Sequence, residues 1–234
     1  MSEQAAEHTD AADTLTQLLE ARFSCRGFLP DPVPRPIIER ILEMAQHSAS
    51  WCNTQPWRVI ITEGDATQQV SQGFFEAAAQ GQVGSDIPFP ERYEGVSQAR
   101  RRECAWQLYD SVGIERGDRA ASAIQAAKNY ELFGAPHLAI ITSEKLLGPY
   151  GGVDCGLYIQ SFLLAAQSLG VATIAQAAIA MSSPYIHEHF GLGDDRQVVC
   201  GISFGYADPS HPANAFRTTR APLDDAVTWV SDGG

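Results

Sequence analysis

Residues 151–169 have a helical pattern that is apolar on almost every side, and this feature restricts the fold more than any other. Large apolar residues recur at many angles around the helix axis: Val153, Leu157, Tyr158, Ile159, Phe162, Leu163 and Leu164. A helix that is hydrophobic all round is buried on all sides. In a chain of 234 residues we therefore expect this helix at the centre of the domain or in a subunit interface.

The rest of the chain alternates between strand and helix patterns. Strands are predicted at 58–62, 137–142, 171–175 and 197–205, and helices at 13–21, 64–80, 92–111 and 118–133, with one more carrying Ile37 to Ala45 and a short one from Ser182. Asp13 is a candidate N-cap for the first helix. We expect residues 13–230 to form a single domain and residues 1–12 to form a disordered tail.

Gly, Pro and charged residues dominate the stretch between Gly81 and Gly117. Its apolar content is too low for a second hydrophobic core. Residues 84–117 are therefore interpreted as an insert that contains one helix, and not as a separate domain. The three consecutive arginines at 100–102 indicate a solvated helix face.

The acidic composition argues against some classes of partner. The formal net charge is −12 and the isoelectric point is near 4.8, whereas nucleic acid or an anionic membrane would favour a basic face. The five cysteines are widely spaced and lack a C-x-x-C pair, which fits free thiols in a reducing compartment. Residues 1–12 lack the features of a signal peptide, and no apolar run approaches the roughly 18 residues of a membrane span. We expect a cytoplasmic protein.

A loop at 48–57 joins an amphipathic helix to the first strand, and Pro56 prevents the helix from continuing. Such a connection needs only about 2–6 residues and is normally filled with turn formers. This loop instead carries two tryptophans and the carboxamides of Asn53 and Gln55. The composition favours binding a flat ligand with polar edges over merely turning the chain.

Cationic residues cluster near both ends of this acidic chain. Arg22, Ser24 and Arg26 alternate, and in an extended segment alternate residues share a face and can converge on one anion. In the alternative interpretation these arginines are solvated at a helix C-terminus, where cations suit the helix dipole. Thr218 and Arg220 lie near the other end. Together with the carboxamides and aromatics, these patches indicate a site for a phosphorylated heteroaromatic cofactor.

Other catalytic motifs in the sequence are incomplete. Residues 201–205 match the G-x-S-x-G of a hydrolase nucleophile elbow, but the stretch that follows cannot form the helix that the elbow needs. Ser203 is therefore interpreted as an ordinary strand residue. His187 and His189 project in different directions and cannot share a metal ion. We predict no metal site and no catalytic residue of the protein itself.

Four segments together make the sequence resemble the nitroreductase family of FMN-dependent oxidoreductases. They are R-F-S-C-R-G-F from Arg22, S-x-x-N-T-Q-P-W from Ser50, the stretch from Gly156 to Gln176, and G-Y-A-D-P followed by R-A-P-L near the C-terminus. The resemblance covers nearly the whole chain. It implies an α+β fold with a mixed, mainly antiparallel sheet flanked by helices, and an intertwined homodimer with FMN at its interface.

The resemblance also implies which residues bind FMN. The phosphate and ribityl end would be held by Arg22, Ser24 and Arg220. Arg26 would meet the N1 and C2 edge of the flavin, and the backbone of residues 176–178 would approach N5. The complete set is Arg22, Phe23, Ser24, Arg26, Ser50, Asn53, Gln55, Lys128, Asn129, Gln176, Ala177, Ala178, Thr218 and Arg220.

The implied reaction has two steps: NADH or NADPH gives a hydride to FMN and leaves, and a substrate then takes two electrons from the flavin. The cofactor carries this chemistry, while the protein supplies orientation and electrostatics. Two alternatives remain, a related flavin enzyme that oxidises or reductively dehalogenates a small aromatic substrate and a flavin-binding protein without turnover. The chain departs from well-known members at Thr218, where a lysine is common, and at 176–178, where some carry Glu-Gly.

We expect the insert at 84–117 to form a lid that selects the substrate, because loops covering a permissive cofactor set selectivity. It offers aromatic rings for stacking and several arginines for an anionic substituent. These are Phe89, Tyr93, Trp106 and Tyr109, and Arg92, Arg100, Arg101 and Arg102. This stretch resembles the branch that includes nitrobenzoate reductases, so we predict a carboxylated nitroaromatic acceptor, reduced through the nitroso to the hydroxylamino stage. In the alternative, the arginines are solvated and the aromatics belong to the core.

Overall fold

A four-stranded sheet forms the centre of the protein in the computed structural model, which describes residues 3–231 and their side chains from residue 9 onward. The strands are β1 (Arg58–Glu63), β2 (His137–Glu144), β3 (Ala172–Gln176) and β4 (Arg196–Gly205). The helices are α1 (Glu3–Ala21), α2 (Arg35–Ala45), α3 (Asp65–Ala79), α4 (Gly95–Ser111), α5 (Arg119–Ala127), α6 (Gly148–Ser168), α7 (Ala177–Ala180) and α8 (Ser183–Phe190).

The strand order in the sheet is β1-β2-β4-β3, and each neighbouring pair is antiparallel. Single-residue bridges outside the named strands add parallel pairing, one of them between Ser24 and Thr173. The predicted α+β fold with a mainly antiparallel sheet is confirmed. Seven of the eight residues of β2 are buried, because this strand lies between β1 and β4 and is covered by helices on both faces.

Alternate residues of β2 enter two different hydrophobic clusters, because successive side chains of a strand point to opposite faces. Ala139 and Ile141 belong to the first cluster, and Leu138 and Ile140 belong to the second. Helices α2 and α6 cover the first face, and α3, α7 and α8 cover the second. Their buried contributions include Ile38, Ile41, Tyr158 and Phe162 on the first face, and Val70, Phe74, Ile179 and Ile186 on the second.

Helix α6 packs against the sheet through one side and exposes an apolar stripe on the other. Tyr158 and Phe162 are buried, whereas Tyr150, Val153 and Leu157 are 57%, 58% and 47% exposed. The sequence predicted burial on all sides, but within this single chain only the side of α6 that faces the sheet is buried. Burial of the exposed stripe would require a second subunit.

Several predicted boundaries were wrong. Helix α1 begins at Glu3, so Asp13 lies inside the helix and is not its N-cap, and residues 3–12 are helical instead of a disordered tail. The segment from Glu3 is rich in Ala, Glu and Gln, which favour helix over disorder. The rest of the predicted tail, residues 1 and 2, lies outside the described residues.

Two further boundaries differ because of local backbone geometry. Helix α5 ends at Ala127 and not at 133, since Leu132 and Phe133 adopt φ values of 56° and 54° that no right-handed helix contains. Helix α6 starts three residues early, at Gly148, with Pro149 in its first turn. The predicted loop after Gln176 is instead the short helix α7.

Among the described residues, no helix is both long enough and apolar enough to cross a membrane.

Candidate functional site

A cavity of about 730 Å³ lies between the segment that follows α1 and the segment near the C-terminus. This volume falls within the roughly 300–1,000 Å³ typical of small-molecule sites. Six of the predicted cofactor residues line it together: Arg22, Phe23, Ser24, Arg26, Thr218 and Arg220. The structure thus brings together the two cationic patches that the sequence places at opposite ends of the chain.

Strand β3 holds the first cationic patch, residues 22–26, in an extended conformation. The backbone N–H of Cys25 donates to the carbonyl oxygen of Thr173 at 3.0 Å, and Ser24 forms a parallel bridge with the same residue. This pairing keeps the segment extended, so Ser24 and Arg26 face the same cavity. Arg22 lies at the junction, since its backbone N–H still closes the last turn of α1. Arg22, Ser24 and Arg26 therefore line the same cavity.

The cavity concentrates positive charge. Burial lowers the pKa of Arg22, and the nearby charge of Arg220 lowers it further. Burial also lowers the pKa of Arg26, with smaller opposing contributions from Cys104 and Cys25. Arginine side chains in proteins are effectively always protonated.

No carboxylate neutralises this cluster within the described part of the chain. None of Arg22, Arg26, Arg217 and Arg220 takes part in the ion pairs observed there, although Glu20 lines the same cavity. Arg26, Arg217 and Arg220 each donate through one guanidinium nitrogen to oxygens of their own chain, which leaves their other N–H groups for a ligand. Clustered guanidinium groups match the geometry of a phosphate group. The residues present therefore fit a phosphorylated ligand.

Two aromatic rings interleave with the arginines. The Arg217 guanidinium lies 4.0 Å from the ring centroid of Phe23, and the Arg26 guanidinium lies 5.9 Å from that of Phe216. Cation–π contacts of this kind hold a guanidinium in place at modest strength. The sequence analysis missed Phe216 and Arg217, although their position beside Thr218 was a usable signal.

Two other residues of the cavity wall were missed as well. Gln160 comes from α6, a helix that carries several other polar residues, so its place in the sequence does not single it out. Cys104 comes from α4, and nothing in its surrounding sequence distinguishes it.

A second group of predicted residues lies where β3 ends. The buried side chain of Gln176 donates to the backbone carbonyl and side-chain oxygen of Asn129 at 2.9 and 3.3 Å, and it accepts from the hydroxyl of Ser203. These bonds bring Lys128 and Asn129 beside Gln176 and Ala177. The side chain of Gln176 is thus already engaged within the protein. The backbone N–H groups of Ala177 and Ala178 lie in the first turn of α7, where the helix itself provides no acceptor for them.

Gln125 is a missed residue close to this group. It lies on α5 one turn before Lys128, is 5% exposed, and its side-chain nitrogen has no hydrogen-bond partner among the described residues. Buried amide donors are nearly always paired in native proteins. An unpaired one beside predicted binding residues therefore fits a ligand with an acceptor group.

The loop at 48–57 is backbone-strained and lies outside the cavity of its own chain. Cys52, Asn53 and Gln55 have φ values of 53°, 55° and 47°, a region that residues other than glycine seldom adopt. Asp154 of α6 anchors the loop, because both of its carboxylate oxygens accept from the backbone N–H of Trp51, at 3.1 and 3.2 Å. The predicted residues Ser50, Asn53 and Gln55 are not among the residues that line the arginine cavity.

Helix α4 of the predicted insert borders the cavity, but the aromatic residues of the insert do not. Cys104 lines it, and a neighbouring cavity of about 590 Å³ lies between α4 and residues 218–225. Phe89, Tyr93, Trp106 and Tyr109 line neither cavity. Tyr93 contacts Arg101 at 5.1 Å, and Trp106 contacts Tyr109 and Arg116 at 5.7 and 4.8 Å, all measured from ring centroids.

The motifs that the sequence analysis rejected have structural roles. Ser203 lies within β4 and donates to Gln176, and no helix begins directly after it. The imidazole of His187 contacts the carboxylate of Asp86 at 2.9 Å. Within the part of the chain that the structure describes, no three His, Cys, Asp or Glu residues are grouped so as to hold a metal ion.

The chain is similar in sequence to known proteins. The model of the family described as the nitroreductase family matches residues 19–206. Nitroreductase NfnB of Mycolicibacterium smegmatis is 31% identical over 221 residues, covering 94% of each protein. A 4-nitrobenzoate reductase of Pseudomonas putida is 30% identical over 208 residues, covering 89% of this chain and 92% of the relative.

Structural similarity leads to the same group. The crystal structure of FMN-dependent nitroreductase NfnB from Mycobacterium smegmatis in complex with NADPH has a TM-score of 0.90 at 30% sequence identity. The match covers 94% of this chain and all of that one.

Thiol labelling tests the placement of the cavity. Burial raises the pKa of the Cys155 and Cys200 thiols to about 11, so at about pH 8 both stay protonated and should resist iodoacetamide in the folded protein. Cys104 is partly exposed on the cavity wall and should react. FMN, the ligand that the sequence resemblance implies, should slow labelling of Cys104, as measured by peptide mass spectrometry. Equal labelling of Cys104 with and without FMN would contradict this placement.

Proposed function

The chain belongs to the nitroreductase family, and from this premise we propose that it is an FMN-dependent oxidoreductase that uses NADPH or NADH to reduce nitroaromatic compounds. The observation that carries the proposal is the arginine cavity. It gathers four cationic side chains and two aromatic rings without an ion-paired carboxylate among the described residues. A flat, phosphorylated cofactor needs this combination.

Each part of the cavity has a proposed role toward FMN. Arg22 and Arg220 hold the phosphate, because their mutual repulsion is relieved when an anion lies between them. Ser24 and Thr218 supply hydroxyl groups for the phosphate and ribityl oxygens. Phe23 orients one of the cations, Arg217, through the contact between its ring and that guanidinium. Arg26 meets the N1 and C2 edge of the flavin, where a cation stabilises negative charge.

The group at the end of β3 completes the proposed site. Lys128 and Asn129 lie beside Gln176, Ala177 and Ala178, whose backbone N–H groups are proposed to approach N5. The unpaired amide of Gln125 gains a partner if it donates to the polar edge of the ring.

FMN supplies the hydride and electron-transfer chemistry when bound. Reduction of a nitro group to the nitroso stage takes two electrons and two protons and releases one water, and the step to the hydroxylamine takes two more of each. Two equivalents of NAD(P)H, each with one proton from solvent, therefore balance the proposed reaction. The protein's own task is to bind, orient and shield the reacting groups.

Replacing Arg220 tests the phosphate assignment. Loss of one partner from a charge-assisted pair typically costs about 1.5–3 kcal/mol, or roughly ten- to 150-fold in affinity. Arg220→Ala should therefore bind FMN that much more weakly in a fluorescence-quenching titration. The flavin-free variant should lose no thermal stability, because the repulsion with Arg22 disappears.

Arg40→Ala serves as the control, since this exposed arginine on α2 makes an ion pair with Glu43. It should leave FMN affinity unchanged. Undiminished affinity of Arg220→Ala would rule out the phosphate assignment.

We also propose that the chain acts as a homodimer with FMN at the interface. The exposed stripe of α6 supports this, and α1 adds Leu15 and Leu19, which are 50% and 47% exposed. The loop residues Ser50, Asn53 and Gln55 do not line the cavity of their own chain. In the proposed dimer, which buries α6, the strained loop of one subunit reaches the cavity of its partner.

Light scattering tests the dimer. The wild-type protein at low micromolar concentration should give about twice 25.3 kDa. Leu157→Glu places a charge in the stripe and should yield a monomer that no longer retains FMN. The control Val83→Glu alters a comparably exposed residue, at 54%, outside the stripe and should remain dimeric. A monomeric wild type that retains flavin would overturn the proposal.

For the substrate we propose a carboxylated nitroaromatic such as a nitrobenzoate. Fewer arginines of the insert are free to meet a carboxylate than the sequence suggested, because Arg92 pairs with Glu94 at 2.9 Å and Arg101 stacks on Tyr93. Arg100 and Arg220 both line the second cavity, the one of about 590 Å³. Arg100 also pairs with Asp225 at 3.3 Å. Among the insert arginines, Arg100 is therefore the best candidate to meet a substrate carboxylate.

Steady-state kinetics test this substrate class. The value of kcat/KM should be higher for 4-nitrobenzoate than for nitrobenzene, and Arg100→Gln should reduce that ratio about tenfold, since an exposed charge-assisted contact is lost. Arg40→Gln should leave the ratio unchanged. Equal values for the two substrates in the wild type would leave the insert without the proposed role.

A further inference from the structure

Asn214 lies behind the arginine cavity and connects the two segments that form it. It ends a short turn at Pro212–Asn214, and its side chain is buried at 7% exposure. Its side-chain oxygen accepts the backbone N–H of Arg26 at 2.8 Å. Its side-chain nitrogen donates to the carbonyl oxygens of Gly27 at 2.8 Å and Asp208 at 2.9 Å. The side-chain amide of Asn214 thus uses its acceptor and both donors, and it joins residues 26 and 27 to the segment near the C-terminus.

The backbone of Asn214 holds a second cation. Its carbonyl oxygen accepts from the Arg217 guanidinium at 2.8 Å, and that guanidinium lies 4.0 Å from the ring centroid of Phe23. One residue therefore fixes the backbone of Arg26 and the side chain of Arg217. Neither contact places Asn214 itself in the cavity wall.

Close approach of the two segments depends on Gly27. A Cβ atom built on this glycine would overlap the ring of His211. The missing side chain lets residues 26–27 lie directly against residues 208–214, at the distance that the hydrogen bonds of Asn214 require. The arrangement is therefore specific to a Gly on one segment and an Asn on the other.

We propose that Asn214 is a positioning residue for Arg26 and thereby tunes the bound flavin. The inference rests on the proposed function, in which the Arg26 guanidinium meets the N1 and C2 edge. Only a side chain with one acceptor and two donors satisfies Arg26, Gly27 and Asp208 together. Leucine would leave the backbone N–H of Arg26 unpaired and would remove one of the donors to each of the Gly27 and Asp208 carbonyl oxygens. Aspartate would place an oxygen against those two carbonyl oxygens.

Three measurements on Asn214→Leu test the proposal. FMN affinity should fall at least about tenfold. The reduction potential of the bound flavin should become more negative, as in Arg26→Ala, because a displaced cation stabilises less negative charge. The double variant should shift the potential no further than Arg26→Ala alone, since coupled residues are not additive.

Thr67→Val is the matched control. It also removes a buried hydrogen bond, the one that joins the hydroxyls of Thr62 and Thr67 at 2.9 Å, but it lies outside the arginine cavity. It should lower thermal stability without moving the potential. Asn214→Asp covers the case in which the leucine variant fails to fold, and it should weaken FMN binding in the same direction.

The outcomes separate this inference from the proposed function. If the wild type binds FMN while both Asn214 variants keep its affinity and potential, the positioning role is wrong and the function stands. If the wild type binds no FMN, the proposed function fails. Amide hydrogen exchange of Arg26 in the flavin-free protein then decides the remaining step, because Asn214→Leu must accelerate it and an unchanged rate would overturn the proposal.

Discussion

The gathering of Arg22 and Arg220 in one cavity is the constraint on which the rest of the site depends. Burial lowers the pKa of Arg22, and the nearby charge of Arg220 lowers it further. No carboxylate of the described chain pairs with either of them. Like charges that are held close together disfavour one another, so the arrangement depends on the structure that surrounds it. An anion that binds between the two cations reverses the sign of the interaction.

The fold enforces this arrangement through hydrogen bonds between distant segments. Strand β3 holds the segment after α1 through Thr173, and Asn214 joins that segment to the C-terminal one. The same strand ends at Gln176, whose side chain fixes the turn at Asn129. Both ends of β3 thus carry parts of the proposed site, and the antiparallel pairing with β4 sets their separation.

Much of this fold follows from sequence periodicity, whereas the contacts between segments do not. Apolar spacing located every strand to within one or two residues, because half-buried and fully buried strands have distinctive patterns. The alternation of Arg22, Ser24 and Arg26 predicted their shared face for the same reason. Asn214, Gln160 and Cys104 were missed, since a single polar residue shows nothing of its partner far away in the chain. The positive φ values of Leu132 and Phe133 could not be predicted from the sequence either, because residues other than glycine seldom adopt them.

An absorbance spectrum of the purified protein, followed by anaerobic addition of NADPH, tests the central claim that the arginine cavity holds a redox-active flavin. The account predicts the visible absorbance bands of an oxidised flavin, similar to those of free FMN, which bleach with NADPH and return when a nitroaromatic is added. Arg220→Ala, prepared in the same way, should show little of these bands. A wild-type protein that remains colourless after incubation with FMN, or bound flavin that NADPH and NADH both fail to bleach, would contradict the account.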